Sequence, residues 1–271
     1  MPPTSITDDL GYTVSLDRTP ERIVSLVPSL TETLLRLGIG TRLVGITEYC
    51  IHPAADVAII PRIGGTKNID VAAVMALKPD IVIANAEEND KPEIEKLKDA
   101  TAVFVTYPRT VTGAIKTVED LGIVTGLHEA SASWADNCTY LLKRIRNGAP
   151  HRQLRTACLI WREPWMAAGG DTYMSDLLNT YGFSNLYTNA AKRYPVTSLA
   201  EIGSLEPDVI LLPDEPYRFD TTHSEEIAGV MANTGCAPRI VLLDGTLLAW
   251  YGWRTLDALS YLAALRESLQ T

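Results

Sequence analysis

A chain of 271 residues, 46% hydrophobic and 21% charged, has the composition of a soluble globular protein and the length for one large domain or two medium ones. Its 33 acidic and 24 basic side chains leave a net charge of −9, which repels phosphate backbones and argues against nucleic acid as a partner. No apolar run reaches the roughly 18 residues of a membrane-spanning helix, so no membrane insertion is expected.

From the start, Met1 to Asp9 shows no basic stretch, apolar segment or small-residue cleavage site. As written, the chain is expected in the cytoplasm; the alternative is a periplasmic or otherwise extracytoplasmic protein whose leader has been removed. Short β-branched runs then recur among helical patterns. They fall at residues 22–27, 43–46, 80–84 and 102–105, and again at 156–160, 208–212 and 240–243. Continuous apolar strands alternating with helices predict parallel sheets covered on both faces.

Residues 71–83 (VAAVMALKPDIVI) match residues 199–211 (LAEIGSLEPDVIL) without a gap. In both, a helix stops at Leu-x-Pro-Asp and a buried strand follows, with proline ending the helix and favouring an extended residue before it. One recurrence at this spacing predicts two related lobes rather than a solenoid. Between them, Val111, Ile115, Val118 and Leu121 keep helical spacing up to Gly126. Leu127, Trp134, Cys138, Leu141, Leu142 and Ile145 then return to one face of a second helix, closed by Gly148-Ala149-Pro150. The predicted fold is α/β: two Rossmann-like lobes with parallel sheets joined by a single long backbone helix. The lobes are placed at residues 1–126 and 149–271 and the helix at 127–148.

The four cysteines show no CxxC pair, and Cys138, Cys158 and Cys236 sit in or beside apolar segments as core filler. Cys50 and His52 stand two apart after a strand, where a thiolate and an imidazole can face the same way and ligate a soft or borderline metal. The alternative is a cleft-wall cysteine and a locally bonded histidine. Trp161-Arg162-Glu163-Pro164-Trp165 and Trp250-Tyr251-Gly252-Trp253-Arg254 hold four of the five tryptophans. Rigid aromatic surfaces flanked by arginine suit a large planar ligand with anionic or amide groups, against the reading that some of these rings are core packing. Glu215 and Tyr217 offer a carboxylate and a phenol nearby, or a solvated loop. Glu87-Glu88-Asn89-Asp90-Lys91 reads as an exposed acidic turn or helix start, with cation binding near a cleft as the alternative.

In order and spacing, several segments together resemble the class III periplasmic-binding-protein family, the helical-backbone receptors of cobalamin, iron-siderophore, haem and metal-ion uptake. They are Asp8 to Leu16, Pro20 to Leu26, Val27 to Leu34, Gly64-Gly65, the Leu-x-Pro-Asp at 77–80, and Gly169 to Tyr173. The resemblance covers nearly the whole chain. It implies a small-molecule ligand gripped between lobes by loops at the carboxyl ends of the strands. Here those loops include Pro28, Ser29, Tyr49 and Thr66 in the first lobe, and the 161–165, 214–217 and 250–254 segments in the second. No resident cofactor is implied; a corrinoid, haem or metal chelate is the candidate ligand.

Exported members carry a docking glutamate early in the helix before each Leu-x-Pro-Asp. This chain has Ala72 and Ala200 there, which puts docking to an ABC permease in doubt. Ser29 lacks the GxSxG context of a hydrolase nucleophile, and Cys50 and His52 are too close in sequence to pair readily, so enzyme activity is not expected. Three readings stay open: a cytoplasmic binder of a macrocycle or chelate, an exported uptake receptor, and a metal sensor using Cys50 and His52.

Overall fold

In the computed structural model, which describes residues 4–148 and 152–269, the β-branched runs fall where the hydrophobic pattern puts them. The chain divides into two compact units. The first runs up to Pro108 and resumes at Thr112–Cys138; the second takes Arg109–Val111 and continues from Thr139.

The first unit opens with an antiparallel pair, β1 (Thr4–Thr7) and β2 (Thr13–Leu16). Asp8 caps the turn between them, accepting from the N–H groups of Leu10 and Tyr12. Next come β3 (Ile23–Ser25), α1 (Pro28–Leu37), β4 (Leu43–Ile46), α2 (Ala54–Val57), α3 (Val71–Ala76), β5 (Ile81–Asn85), α4 (Lys91–Lys98) and β6 (Ala102–Thr106). The strands form a parallel sheet in the order β4-β3-β5-β6. All five residues of β5 are buried, as a central strand covered on both faces requires.

Two helices follow, α5 (Val111–Thr125) and α6 (His128–Arg146). Gly126, at φ +75°, makes the left-handed turn that ends α5. Trp134, Cys138 and Leu142 lie buried on one face of α6. Cys138 and Thr139 fall on either side of the division between units, so α6 contributes to both. Ala149 and Pro150, expected to close this helix, lie outside the described residues.

The second unit contains β7 (Leu154–Trp161), β8 (Met166–Ala167), α7 (Tyr173–Asn179), β9 (Phe183–Asn185), α8 (Leu199–Ser204) and β10 (Val209–Pro213). After them come α9 (Thr221–Thr234), β11 (Arg239–Leu243), α10 (Thr246–Ala249) and α11 (Thr255–Ser268). The parallel strands run β11-β10-β7-β9, with β8 antiparallel against the end of β7. Strand for strand, β9-β7-β10-β11 repeats β4-β3-β5-β6. β8 and β9 escape the sequence pattern because two- and three-residue strands have no periodicity to detect.

The repeated Leu-x-Pro-Asp acts as a clamp. After α3, Lys78 takes a left-handed conformation (φ +48°), and Glu206 does the same after α8 (φ +46°). This corrects the expectation of an extended residue before each proline: the helix ends on a left-handed residue, which reverses the chain. The aspartate then reaches the neighbouring strand. Asp80 accepts from the backbone N–H groups of Glu21 (2.8 Å) and Arg22 (3.0 Å), while its own N–H donates to the Arg22 carbonyl (2.7 Å). Asp208 accepts from the Arg155 N–H (2.8 Å) and donates to the Arg155 carbonyl (2.8 Å). Each arginine side chain returns to the helix end, Arg22 to the Leu77 carbonyl and Arg155 to that of Glu206.

Of the cysteines placed as core filler, Cys138 and Cys158 are buried. Cys236 is only half-buried, with Sγ 3.7 Å from the Pro207 carbonyl. Among the described residues no helix is long and apolar enough to cross a membrane.

Burial works against ionisation of Asp80, but the bonds from Glu21, Arg22 and Arg18 outweigh it and hold its pKa below the usual carboxylate range. A carboxylate whose folded pKa is depressed stabilises the fold above its unfolded pKa and loses that contribution as pH falls through the folded value. Asp80→Ala and Asp208→Ala should each lower the unfolding free energy by about 1–3 kcal/mol at neutral pH. Urea unfolding should show the Asp80→Ala deficit shrinking below about pH 4.

Candidate functional site

In the first unit, loops leave the carboxyl ends of β3, β4 and β5, and buried polar groups tie them together. Asn89 donates to the carbonyls of Leu26 (3.3 Å) and Thr66 (3.0 Å) and accepts from the Asn85 N–H (2.9 Å). Asn85 in turn accepts from the N–H groups of Glu87 and Glu88. Asn89 is therefore buried, although Glu88 and Asp90 beside it are exposed in the turn that leads into α4, and it joins the loop after β3, the Thr66 loop and the loop after β5.

The 47–57 segment is fixed by one side chain. The Arg62 guanidinium donates to the carbonyls of Thr47 (2.9 Å), Cys50 (2.8 Å) and Val57 (3.2 Å). Cys50 points inward, fully buried, with Sγ 3.1 Å from Oγ1 of both Thr31 and Thr47. Thr31 also donates to Ser25, completing a buried chain of hydroxyls and thiol. Burial raises the Cys50 pKa despite these bonds, which keeps it a thiol; thiolate is the form that ligates metal. Pro28 begins α1 half-buried and Ser29 is buried. His52 and Thr66 are half-buried, while Tyr49 is 61% exposed. A Cβ on Gly65 would lie 3.3 Å from the Tyr49 ring, so the glycine gives that ring its seat. Among the described residues no group of three or more His, Cys, Asp or Glu side chains is placed to hold a metal ion.

In the second unit the residues singled out from sequence follow β7, β10 and β11. Trp161, last in β7, is 43% exposed and meets the Tyr217 ring edge-on at 5.5 Å. Tyr217 packs on Phe219 (4.8 Å), and Phe219 stacks parallel to Trp165 (6.0 Å). The four rings are in continuous contact, with Phe219 (4% exposed) in the core and Trp161, beside half-buried Tyr217 and Trp165, on the outside. Arg162 lies over Trp165 with its guanidinium bound to Glu163 (2.8 Å) and Glu226 (3.1 Å). Glu226 in particular holds that guanidinium in its charged form. The arginine expected to receive an anionic ligand group is therefore already neutralised by two carboxylates.

The 250–254 cluster divides. Trp250 and Tyr251 are each only 8% exposed, and Tyr251 packs edge-on to Tyr173, so these two rings are largely core. Trp253 and Arg254 are half-buried; the Arg254 guanidinium covers Trp250 at 4.8 Å and bonds to the Thr246 hydroxyl. The Asp214 carboxylate accepts from the Gly245 N–H (2.7 Å), and a Cβ on Gly245 would collide with the Glu215 backbone. Glycine at 245 lets the loops after β10 and β11 touch. Glu215 itself is half-buried.

Sequence reasoning missed Phe219, His223, Glu226, Asn89 and Arg62. His223 bonds to both Tyr217 and Asp220. The Asp-x-x-His spacing of a helix start was readable; the contact with Tyr217 was not. The expected docking positions, Ala72 and Ala200, are each the second residue of their helix and are exposed.

A family model described as periplasmic binding protein matches residues 23–237. Among curated proteins, the chain is 28% identical over 221 residues to an uncharacterized ABC transporter substrate-binding lipoprotein, YvrC, of Bacillus subtilis, covering 78% of this chain and 69% of that one. It is 24% identical over 195 residues to a vitamin B12-binding protein of Vibrio parahaemolyticus, covering 70% of each. Among solved structures, a periplasmic heme binding protein from Pseudomonas aeruginosa superposes with a TM-score of 0.77 at 25% identity, covering 91% of this chain and 92% of that one.

The four cysteines should separate by environment. Burial pushes Cys138 and Cys158 up to about 12, and Cys50 is buried and raised as well. In the folded protein an aromatic disulfide reagent should modify Cys236 alone, and all four thiols after unfolding. Rapid labelling of Cys50 in the native state would contradict its inward placement.

Proposed function

Because the chain belongs to the periplasmic binding protein family, we propose that it binds a large planar ligand of the tetrapyrrole type on the strand-end loops of its second unit. The chain is a binding protein and not an enzyme. The observation that carries the ligand reading is the ring group of Trp161, Tyr217 and Trp165 backed by buried Phe219, with Trp161 exposed at the end of β7. An exposed tryptophan backed by packed rings is costly to leave in water and rigid enough to receive a flat partner. The names of the similar proteins, for vitamin B12 and for heme, support the same ligand class.

Location follows the relatives rather than the first residues. A lipoprotein and a periplasmic receptor among them support an extracytoplasmic protein over the cytoplasmic one expected from the sequence. The substrate-binding lipoprotein also supports partnership with an ABC transporter. Such docking would use side chains other than carboxylates at Ala72 and Ala200.

Adding cyanocobalamin or hemin to the purified protein should shift the ligand's visible spectrum or quench tryptophan fluorescence at micromolar concentration. Trp161→Ala should weaken the tighter ligand by roughly tenfold or more while leaving the melting temperature close to wild type. If neither ligand responds at high micromolar concentration, the tetrapyrrole reading is wrong.

A further inference from the structure

Asp220, His223 and Tyr217 form one hydrogen-bonded chain beside the aromatic surface. Asp220 caps α9, its carboxylate accepting from the Thr222 hydroxyl (2.6 Å) and from the N–H groups of Thr222 (3.0 Å) and His223 (3.4 Å). The Thr222 hydroxyl foremost, with the backbone and His223, pulls the Asp220 pKa down to about 2, so the group is ionised. His223 Nδ1 lies 2.7 Å from that carboxylate. A bare nitrogen there would set lone pair against lone pair, so Nδ1 carries a proton and donates it to the carboxylate; this shorter, charge-assisted contact excludes a hydrogen bond from the Asp220 backbone N–H, which lies 3.2 Å from Nδ1.

In the tautomer with its proton on Nδ1, the ring has its lone pair at Nε2, which stands 3.2 Å from the Tyr217 oxygen. The phenol has the proton to give, so Tyr217 donates to His223 and keeps only lone pairs for any other partner. We propose that His223 fixes Tyr217 as a hydrogen-bond acceptor toward the ligand, so that the site selects a planar ligand rimmed with amide or other N–H donors over one rimmed with carboxylates. This rests on the tetrapyrrole reading and sharpens it. In this reading His223 is a positioning residue acting through Tyr217.

The charge around the rings points the same way. Arg162 is occupied by Glu163 and Glu226, and Asp214 and Glu215 lead into Tyr217. A carboxylate rim arriving here would meet an acceptor and several carboxylates, whereas an amide rim would find acceptors for its protons. Arg218, exposed beside Tyr217, favours the opposite choice. The rank order of two ligands in the wild type decides which influence prevails.

The test titrates the whole protein with cyanocobalamin, whose rim carries amides, and with hemin, whose rim carries carboxylates. Wild type should bind cyanocobalamin more tightly. His223→Leu frees the Tyr217 hydroxyl to donate outward and should lower the cobalamin-to-hemin preference by roughly five- to tenfold. In a Tyr217→Phe background, His223→Leu should change the preference no further, which a merely structural histidine would not obey. Tighter hemin binding by wild type, or an unchanged preference in His223→Leu, overturns the inference while leaving a tetrapyrrole site in place. If neither ligand binds wild type, the tetrapyrrole reading falls first and takes this inference with it.

Discussion

The carboxylates of Asp80 and Asp208 occupy corresponding points in two sheets, and the strand ends depend on them. Each sits where a helix has stopped on a left-handed residue and the chain must re-enter the sheet in one register. By holding both polar groups of the facing residue, Arg22 or Arg155, each aspartate aligns a central strand with its neighbour from its first residue. Parallel strands lack the hairpin that sets register between antiparallel ones, so this alignment has to be supplied by side chains or hydrophobic pattern. With the amino ends fixed, the loops leaving the carboxyl ends are fixed in relation to one another within each unit.

At those carboxyl ends the two units use different means. The first relies on polar ties hidden below the loops: Asn89 and Asn85 across three connections, and Arg62 on three carbonyls of one. Such groups lose heavily if left unpaired, so their loops have few alternative conformations. The second unit relies on packed rings, with Phe219 between Tyr217 and Trp165 and with Trp161 on the outside. Both leave an exposed ring at the strand ends, Tyr49 (61% exposed) in the first unit and Trp161 (43% exposed) in the second. The proposed seat for a flat ligand rests on the second unit because there the exposed ring is backed by other rings.

What could be read from sequence follows from the range of each signal. Continuous runs such as Ile81-Val82-Ile83 and Val209-Ile210-Leu211 identify central strands because burial on both faces admits nothing else. The helix at His128–Arg146 was legible because its apolar face persists over five turns. The aromatic clusters stood out by composition, yet composition cannot separate exposed Trp161 from buried Trp250; that depends on which loop packs above each ring. Nor could the sequence show that Arg162 is neutralised by Glu226, which lies 64 positions away on α9. Cys50 and His52 looked like a ligand pair while only their spacing was known. The hydroxyls of Thr31 and Thr47 give the thiol a different place, inside the fold.

The exposed first turns of α3 and α8 bear on how ligand and partner surfaces are arranged within each unit. Both helices run antiparallel to the strands that follow them, so their amino ends lie toward the same edge of the sheet as the ligand loops. A partner meeting that edge meets Ala72 or Ala200 without a carboxylate at that position. Asp70 does not replace it, because its carboxylate is already bonded to the Ala73 N–H as the cap of α3. Glu201 is exposed, but one position along a helix turns a side chain by about 100°, so it presents its charge in another direction. In the second unit Glu163 and Glu215 stand in the ring loops and Glu226 near them on α9, and Glu163 and Glu226 bind the Arg162 guanidinium. Under the proposed reading those carboxylates bear on the polar rim of a ligand, whereas α3 and α8 offer no carboxylate at Ala72 and Ala200 to a basic partner.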